Sequence, residues 1–371
     1  MDFNIGIIGT GSIAIAHLIS LKEIIESKLL FNKYGIRMKI SGMCDINSDK
    51  IHQFKTKDIY NAEIYTTNPE KLIKNEKINV LYITTPTKFH KDLFIKAAEA
   101  KKSIFIEKPL AFELDDIKEM MTIQKKNGVF CQVGLVLRHC PFFWMLKDII
   151  VKNKDELGSN LGFIFRDDQE WPIGTFSHAS TWRKDPTLAR AGCLYEHSIH
   201  DVDMLEFLFC DTTKLSKLSA NIRYLSSLAK EGLEDSAIVN LEYGDGVSGS
   251  LSSFWHRIPR DERRIEIFFE NGCIILDGYQ LINFNSFLYY LKKKKKKIKS
   301  ENIISKYFEK LQLPLTKFSF GAYFFENLAF IESLIKEENP YPDLQIGLRA
   351  HQIIEAAYKS SRDKKEIFID F

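Results

Sequence analysis

Ile5-Gly6-Ile7-Ile8-Gly9-Thr10-Gly11-Ser12-Ile13-Ala14 decides the fold: a short apolar strand runs into Gly-x-Gly-x-x-Ala and then into a helix carrying Ala16, His17, Leu21 and Ile24. Gly9 permits the tight turn, Gly11 lets the backbone approach a pyrophosphate, and Ala14 lets the helix lie close on the strand. The helix N-terminus that follows, with its free amides and positive dipole end, faces phosphate groups. The loop residues Gly9, Thr10, Gly11, Ser12, Ile13 and Ala14 are therefore the expected phosphate cradle. Asp45 ends the second strand, Ile40-Ser41-Gly42-Met43-Cys44-Asp45, where a carboxylate accepts hydrogen bonds from an adenine-ribose diol. It comes later than the usual spacing of ~20 residues, the extra length lying in a longer first helix and the segment 28–37. No Arg or Lys occurs in Ile46-Asn47-Ser48 to meet a 2′-phosphate, so NAD is favoured over NADP.

Outward from the loop, residues 3 to 138 alternate short β-branched runs with helical patterns, which predicts a doubly wound parallel sheet of α/β class. Strands are expected at Phe3–Ile8, Lys39–Cys44, Val80–Thr84, Ser103–Ile106 and Val129–Leu137, with amphipathic helices at Phe89–Ala100 and Leu114–Lys126. Near Cys140-Pro141 the pattern changes to one helix followed by many strands. Gly244-Asp245-Gly246 and Asn271-Gly272 are hairpin signals within it. The chain thus divides into a nucleotide-binding domain, residues 1–140, and an α+β domain, residues 141–371, with a large, open, mostly antiparallel sheet. Helices at Ala322–Lys336 and Ile346–Lys359 and a strand at Glu366–Ile369 close it.

At 371 residues there is enough chain for two cores. A net charge of +3 is too small to imply a nucleic-acid or membrane partner. The exception is Lys292 to Lys297, six consecutive lysines, read as a self-repelling solvated loop rather than a polyanion patch. Cys44, Cys131, Cys140, Cys193, Cys210 and Cys273 show no Cys-x-x-Cys spacing and read as reduced thiols. Met1-Asp2-Phe3-Asn4 lacks a basic region before an apolar core, and no uncharged apolar stretch has membrane-spanning length, so a cytoplasmic protein is expected.

Glu107-Lys108-Pro109 follows the strand Ser103–Ile106 and puts an ammonium at the carboxyl edge of the sheet, where ligands of open α/β folds bind. With a nucleotide loop upstream, this points to hydride transfer. The stretches Gly9–Ala14, Thr85-Pro86-Thr87-Lys88-Phe89-His90, Glu107-Lys108-Pro109, Val136-Leu137-Arg138, Trp182-Arg183 and residues 192–203 (GCLYEHSIHDVD) occur in this order. Together they resemble the Gfo/Idh/MocA oxidoreductases, which include glucose–fructose oxidoreductase and inositol dehydrogenases. The resemblance implies an enzyme whose substrates are sugars, cyclitols or sugar nucleotides. It implies that Thr85, Pro86 and His90 line the cofactor groove, that Glu107 holds the nicotinamide ribose, that Lys108 faces ribose and substrate, and that His200 is the acid/base. It also implies a homodimer or homotetramer through the outer face of the second domain's sheet. Many members carry Asp where this chain has Glu196.

Residues Tyr195–Leu208 read as one helix, which places Glu196, His200 and Asp203 on a shared face. Oxidising a secondary alcohol requires a base for the hydroxyl proton, and an imidazole suits that transfer at neutral pH. His200 is assigned as base, Lys108 as the cation that steadies the developing alkoxide, and Glu196 as substrate ligand or modulator, with Asp203 structural. Arg138, Trp182 and Arg183 are candidate substrate contacts. A Glu–His–Asp set also resembles metal ligands, but one supported histidine is too few, and no metal is expected. Two rival functions use the same residues: an NAD-dependent redox-neutral glycosidase and a non-catalytic nucleotide-sensing regulator.

Overall fold

The computed structural model describes residues 2–172, 181–209, 211, 213–227, 229, 232–259, 261–281, 284–292, 294–299, 303, 305, 309 and 321–370. It divides into two compact units, Met1–Val136 with Leu311–Leu348, and Leu137–Lys310 with Arg349–Phe371.

In the first unit, strands β1 (Phe3–Ile8), β2 (Met38–Cys44), β3 (Ile64–Thr66), β4 (Val80–Ile83), β5 (Ser103–Glu107) and β6 (Cys131–Gly134) form one sheet in the order β3-β2-β1-β4-β5-β6. Every pairing is parallel, as the strand–helix alternation predicted. The runs are apolar throughout because both faces are covered: all of Val80–Ile83 is buried. Helices α1 (Ser12–Ser27), α2 (Leu29–Tyr34), α3 (Ser48–Lys57), α4 (Glu70–Ile73), α5 (His90–Glu99) and α6 (Leu114–Asn127) connect the strands. Ile83, Phe94, Ile104, Ile117 and Met120 share one buried cluster. The last strand is shorter than expected, since the chain leaves the sheet after Gly134 and coils into a 3-10 turn at Val136–His139.

The second unit opens with α7 (Pro141–Lys152) and α8 (Lys154–Leu157) and holds strands β7 (Asn160–Glu170), β8 (Leu215–Arg223), β9 (Ser236–Tyr243), β10 (Ser248–His256), β11 (Glu262–Phe269), β12 (Gly272–Asp277), β13 (Ser286–Leu291), β14 (Lys294–Ile298) and β15 (Ile367–Phe368). They form a nine-stranded sheet in the order β14-β13-β12-β11-β7-β10-β9-β8-β15, antiparallel except where β10 runs parallel to β7. Both hairpin turns read from the sequence join the strands expected of them. Helix α9 (Ile199–Phe209) is buried along its whole length, and Phe209 meets Phe163 of β7 at 5.2 Å between ring centroids. The chain ends with helices α10 (Gly321–Lys336) and α11 (Leu344–Asp363) before β15. Helix α10 belongs to the first unit, where it packs on α1 and where Tyr34 donates to Glu332 at 2.9 Å.

The lysine run is a strand, not the loop its composition suggested. Lys294 to Lys297 pair with Leu291 to Leu288 of β13 at the sheet edge, while Lys293, like Cys210, lies outside the described residues. Alternation along the strand sends successive ammonium groups to opposite faces and all four into water, which relieves the repulsion that argued for a loop. Lys295 also lies over the Tyr290 ring, 5.3 Å from its centroid. An edge strand studded with lysine resists pairing with another chain. Replacing Lys294, Lys295, Lys296 and Lys297 together by Thr is therefore expected to cause concentration-dependent association that the unaltered protein does not show. Static light scattering across a protein dilution series checks this, and no change in mass would refute it.

Candidate active site

In the first unit the parallel strands deliver their carboxyl ends to one edge, and most residues singled out in the sequence for nucleotide binding lie along it. Gly9 has φ +95°, and a Cβ there would stand 2.7 Å from the Thr84 carbonyl, so only glycine fits the turn. A Cβ at Gly11, by contrast, would meet nothing within 4 Å: the loop presents bare backbone to open space just before α1 begins. Asp45 closes the other side. One of its oxygens accepts from both the Thr10 amide and hydroxyl, at 2.8 Å each, and the other accepts from the Asn47 amide at 2.9 Å. Burial would raise this carboxyl's pKa, but the Asn47 and Thr10 donors outweigh it and hold the group below its ordinary value. A pre-ionised acceptor beside an open glycine loop fits a dinucleotide's ribose and pyrophosphate.

Beyond the loop, Thr85 and Pro86 follow β4, and His90 starts α5. The His90 ring nitrogens lie 2.8 Å from the Pro109 carbonyl and 2.8 Å from the Thr85 carbonyl, and the ring is buried. His90 thus ties the two loops that carry Thr85-Pro86 and Lys108-Pro109 to each other. Burial lowers its pKa against those two carbonyls and the Glu107 charge. Lys108 is half-buried, and its amide donates to Glu107 Oε2 at 3.1 Å.

In the second unit, the single helix expected over Tyr195–Leu208 is two pieces. Cys193–His197 forms a π-helical turn, and α9 begins only at Ile199. Glu196, His200 and Asp203 therefore do not follow one regular helical face. The break has a cause that the local pattern could not show: Glu234. Its carboxyl accepts the amides of Gly192 (2.6 Å), Leu194 (2.9 Å) and Tyr195 (3.4 Å) and the Tyr358 hydroxyl (2.7 Å). A Cβ at Gly192 would run into the Glu234 backbone, so the turn is pressed against that segment. Burial pushes the Glu234 carboxyl up to about 7 despite these donors.

Trp182, Arg183 and Glu196 are brought together as a set. Arg183 lies 4.4 Å over the Trp182 ring, and its Nε donates to Glu196 Oε2 at 3.1 Å, neutralising a carboxylate that is fully buried. Arg138 is placed differently from the substrate contact considered for it. It is buried and grips Asp203 through Nε and Nη2 at 2.8–2.9 Å, so its guanidinium anchors the middle of α9. His197 accepts from Trp255 Nε1 at 2.8 Å.

His200 sits on α9 next to a buried acid pair that sequence reasoning missed. Asp167 of β7 accepts from Ser198 Oγ (2.7 Å), Gln169 Nε2 (2.9 Å) and Arg263 Nε (3.0 Å), while Asp201 accepts from the Tyr279 hydroxyl at 2.6 Å. Burial and the neighbouring Asp167 charge push Asp201 well above the ordinary carboxylate value; Asp167 is held below it, where Arg263 and its other donors outweigh burial. The two shifts are opposite, so within the pair the proton favours Asp201 and the charge Asp167. The pair ties the start of the His200 helix to β7 through Ser198, and Arg138–Asp203 holds the same helix to the 3-10 turn at Val136–His139. Among the described residues no helix is long and apolar enough to cross a membrane, and Cys44, Cys131, Cys140, Cys193 and Cys273 are free thiols.

Two family models match this chain: the oxidoreductase family's NAD-binding Rossmann fold over residues 3–135, and its C-terminal alpha/beta domain over residues 169–369. Among curated relatives, the uncharacterized oxidoreductase YrbE of Bacillus subtilis is 29% identical over 74% of this chain and 73% of its own length. The myo-inositol 2-dehydrogenase of Thermotoga maritima is 26% identical over 74% and 75%. Among solved structures, the WlbA dehydrogenase of Bordetella pertussis, in complex with NADH and UDP-GlcNAcA, superposes with a TM-score of 0.79 at 18% identity, covering 100% of this chain and 98% of that one, which is a likeness of fold.

Because an amide can donate to Asp167 as a protonated acid does, Asp201→Asn is expected to cost no more than about 1 kcal/mol at neutral pH. Asp167→Asn strands the buried Arg263 guanidinium without its counter-charge and is expected to cost about 3 kcal/mol or more. The sign with pH follows from the shifts: Asp201's contribution, from a raised pKa, is lost as pH rises through that value. Urea unfolding across a pH series checks both, and the loss on raising the pH that belongs to Asp201 should vanish in the Asn variant.

Proposed function

We propose that this chain, which belongs to the Gfo/Idh/MocA oxidoreductase family, is an NAD-dependent dehydrogenase or reductase acting on a hydroxyl or keto carbon of a cyclitol, sugar or sugar nucleotide. The observation that carries this reading is the open Gly9–Ala14 loop with Asp45 already ionised beside it. The inositol dehydrogenase relative supports the substrate class. The loop residues Gly9, Thr10, Gly11, Ser12, Ile13 and Ala14, with Asp45, Thr85, Pro86 and Glu107, are the residues that would hold NAD, and His90 keeps their loops in register. Bound there, the nicotinamide supplies a hydride acceptor or donor.

The protein's own part is proton management and orientation. His200 takes the hydroxyl proton, Lys108 steadies the charge that develops on the oxygen, and Glu196 with Arg183 and Trp182 orients the polar substrate. Arg138 serves this site indirectly, by holding Asp203 and with it the helix that carries His200. A cytoplasmic homo-oligomer through the outer sheet face completes the reading; Ile164 and Ile238, both exposed on that face, support it.

Lys108→Ala and His200→Ala are each expected to lower turnover roughly a hundredfold or more while NAD affinity stays within about tenfold. NADH formation with a panel of cyclitols, sugars and sugar nucleotides reads the first, and titration calorimetry the second. Wild-type turnover in either variant would refute the assignment.

A further inference from the structure

Beneath the Glu107-Lys108 turn, inside the first unit, lies a polar group in an otherwise aromatic core that none of the roles above uses. His17 of α1 is fully buried, with the rings of Tyr82, Phe105 and Tyr323 at 5.5, 4.7 and 5.2 Å between centroids. Its Nδ1 lies 3.0 Å from Asn327 Oδ1 and its Nε2 lies 2.9 Å from Glu107 Oε1. Asn327 spends its amide nitrogen on the Tyr323 carbonyl at 2.8 Å, so its oxygen faces the imidazole. An oxygen there requires the hydrogen to be on Nδ1.

That settles what Nε2 can do. An imidazole with its hydrogen on Nδ1 turns a lone pair toward Glu107, and two lone pairs at 2.9 Å repel unless one proton lies between them. The other Glu107 oxygen is already an acceptor, taking the Lys108 amide at 3.1 Å. On the third side Gly134 of β6 leaves no slack: a Cβ there would stand 2.7 Å from Glu107 Oε1. The remaining titratable groups facing the couple are Tyr82 of β4, His90 of α5, and Glu326 of α10. Burial and the Glu107 charge push the fully buried Glu326 carboxyl well above its ordinary value.

We propose that His17 is a positioning residue: it shares one proton with Glu107 and thereby fixes the carboxylate in the single orientation that faces the nicotinamide ribose and starts the Lys108 turn. This rests on the function proposed above, in which Glu107 holds that ribose. His17 touches neither cofactor nor substrate in this assignment. Its effect passes through Glu107 to the placement of the ring and the ammonium, where small misplacements are costly.

The test uses the full-length protein with NAD and the substrate found in the panel. His17→Phe keeps the ring and removes both nitrogens; it is expected to lower kcat/KM by about tenfold to a hundredfold, with KM for NAD raised and the acid limb of the pH profile moved. His17→Gln, which restores one donor toward Glu107, is expected to recover much of that loss. A His17→Phe enzyme with wild-type kcat, KM and pH profile overturns the proposal, as does a Gln variant no better than Phe. Should the Phe variant fail to fold, Asn327→Leu is read in the same way, since it removes the group that sets the tautomer. Independently of any activity, nitrogen NMR of the apo protein should show Nδ1 of His17 protonated from pH 6 to 8; an unprotonated Nδ1 overturns the proposal even if the enzyme reading stands. If Lys108→Ala is fully active, it is the enzyme reading that fails.

Discussion

A carboxylate taken out of water must be met by donors or give up its charge, and this constraint organises both units. Asp45 is met by the amides of its own loop and of the glycine turn; Glu107 by an imidazole and the next amide; Asp167 by a guanidinium, a hydroxyl and a carboxamide; Asp203 by Arg138. Glu326 and Asp201 have fewer donors, and burial raises their pKa well above the ordinary carboxylate value. Each solution fixes a segment to which we assign chemistry: the nucleotide loop, the Lys108 turn, the His200 helix. Rigidity at these places comes from satisfying buried charge, not from apolar packing alone.

The same constraint explains how much could be read in advance. The first unit was legible because a parallel sheet writes itself locally: unbroken apolar runs, helical periods between them, and glycines where a turn admits nothing else. The three-residue β3 and the helices α2, α3 and α4 were not read. In the second unit the hairpin turns gave away their strands, and Trp182, Arg183 and Glu196, each named from the sequence on separate grounds, lie together.

What the sequence hid was long-range. Glu234 holds the amides of the Cys193–His197 turn from about forty residues away, and Arg138, a candidate substrate contact by sequence, closes on Asp203. His17 sits at a helical core position among apolar neighbours, where a histidine reads as packing. Its partners, Glu107 and Asn327, are 90 and 310 residues distant. The lysine run was misjudged for the opposite reason: its local composition spoke loudly, and a neighbouring strand overruled it.

That run has a consequence for the molecule as a whole. Lys292 to Lys297 and Lys299 supply seven positive charges; without them 45 basic residues face 49 acidic ones, a balance of −4 rather than +3. The alkaline isoelectric point of about 8.3 thus rests on one short stretch of an otherwise acidic sequence. Near neutral pH the chain will adsorb through that stretch to negatively charged supports as though it were far more basic than its sum implies.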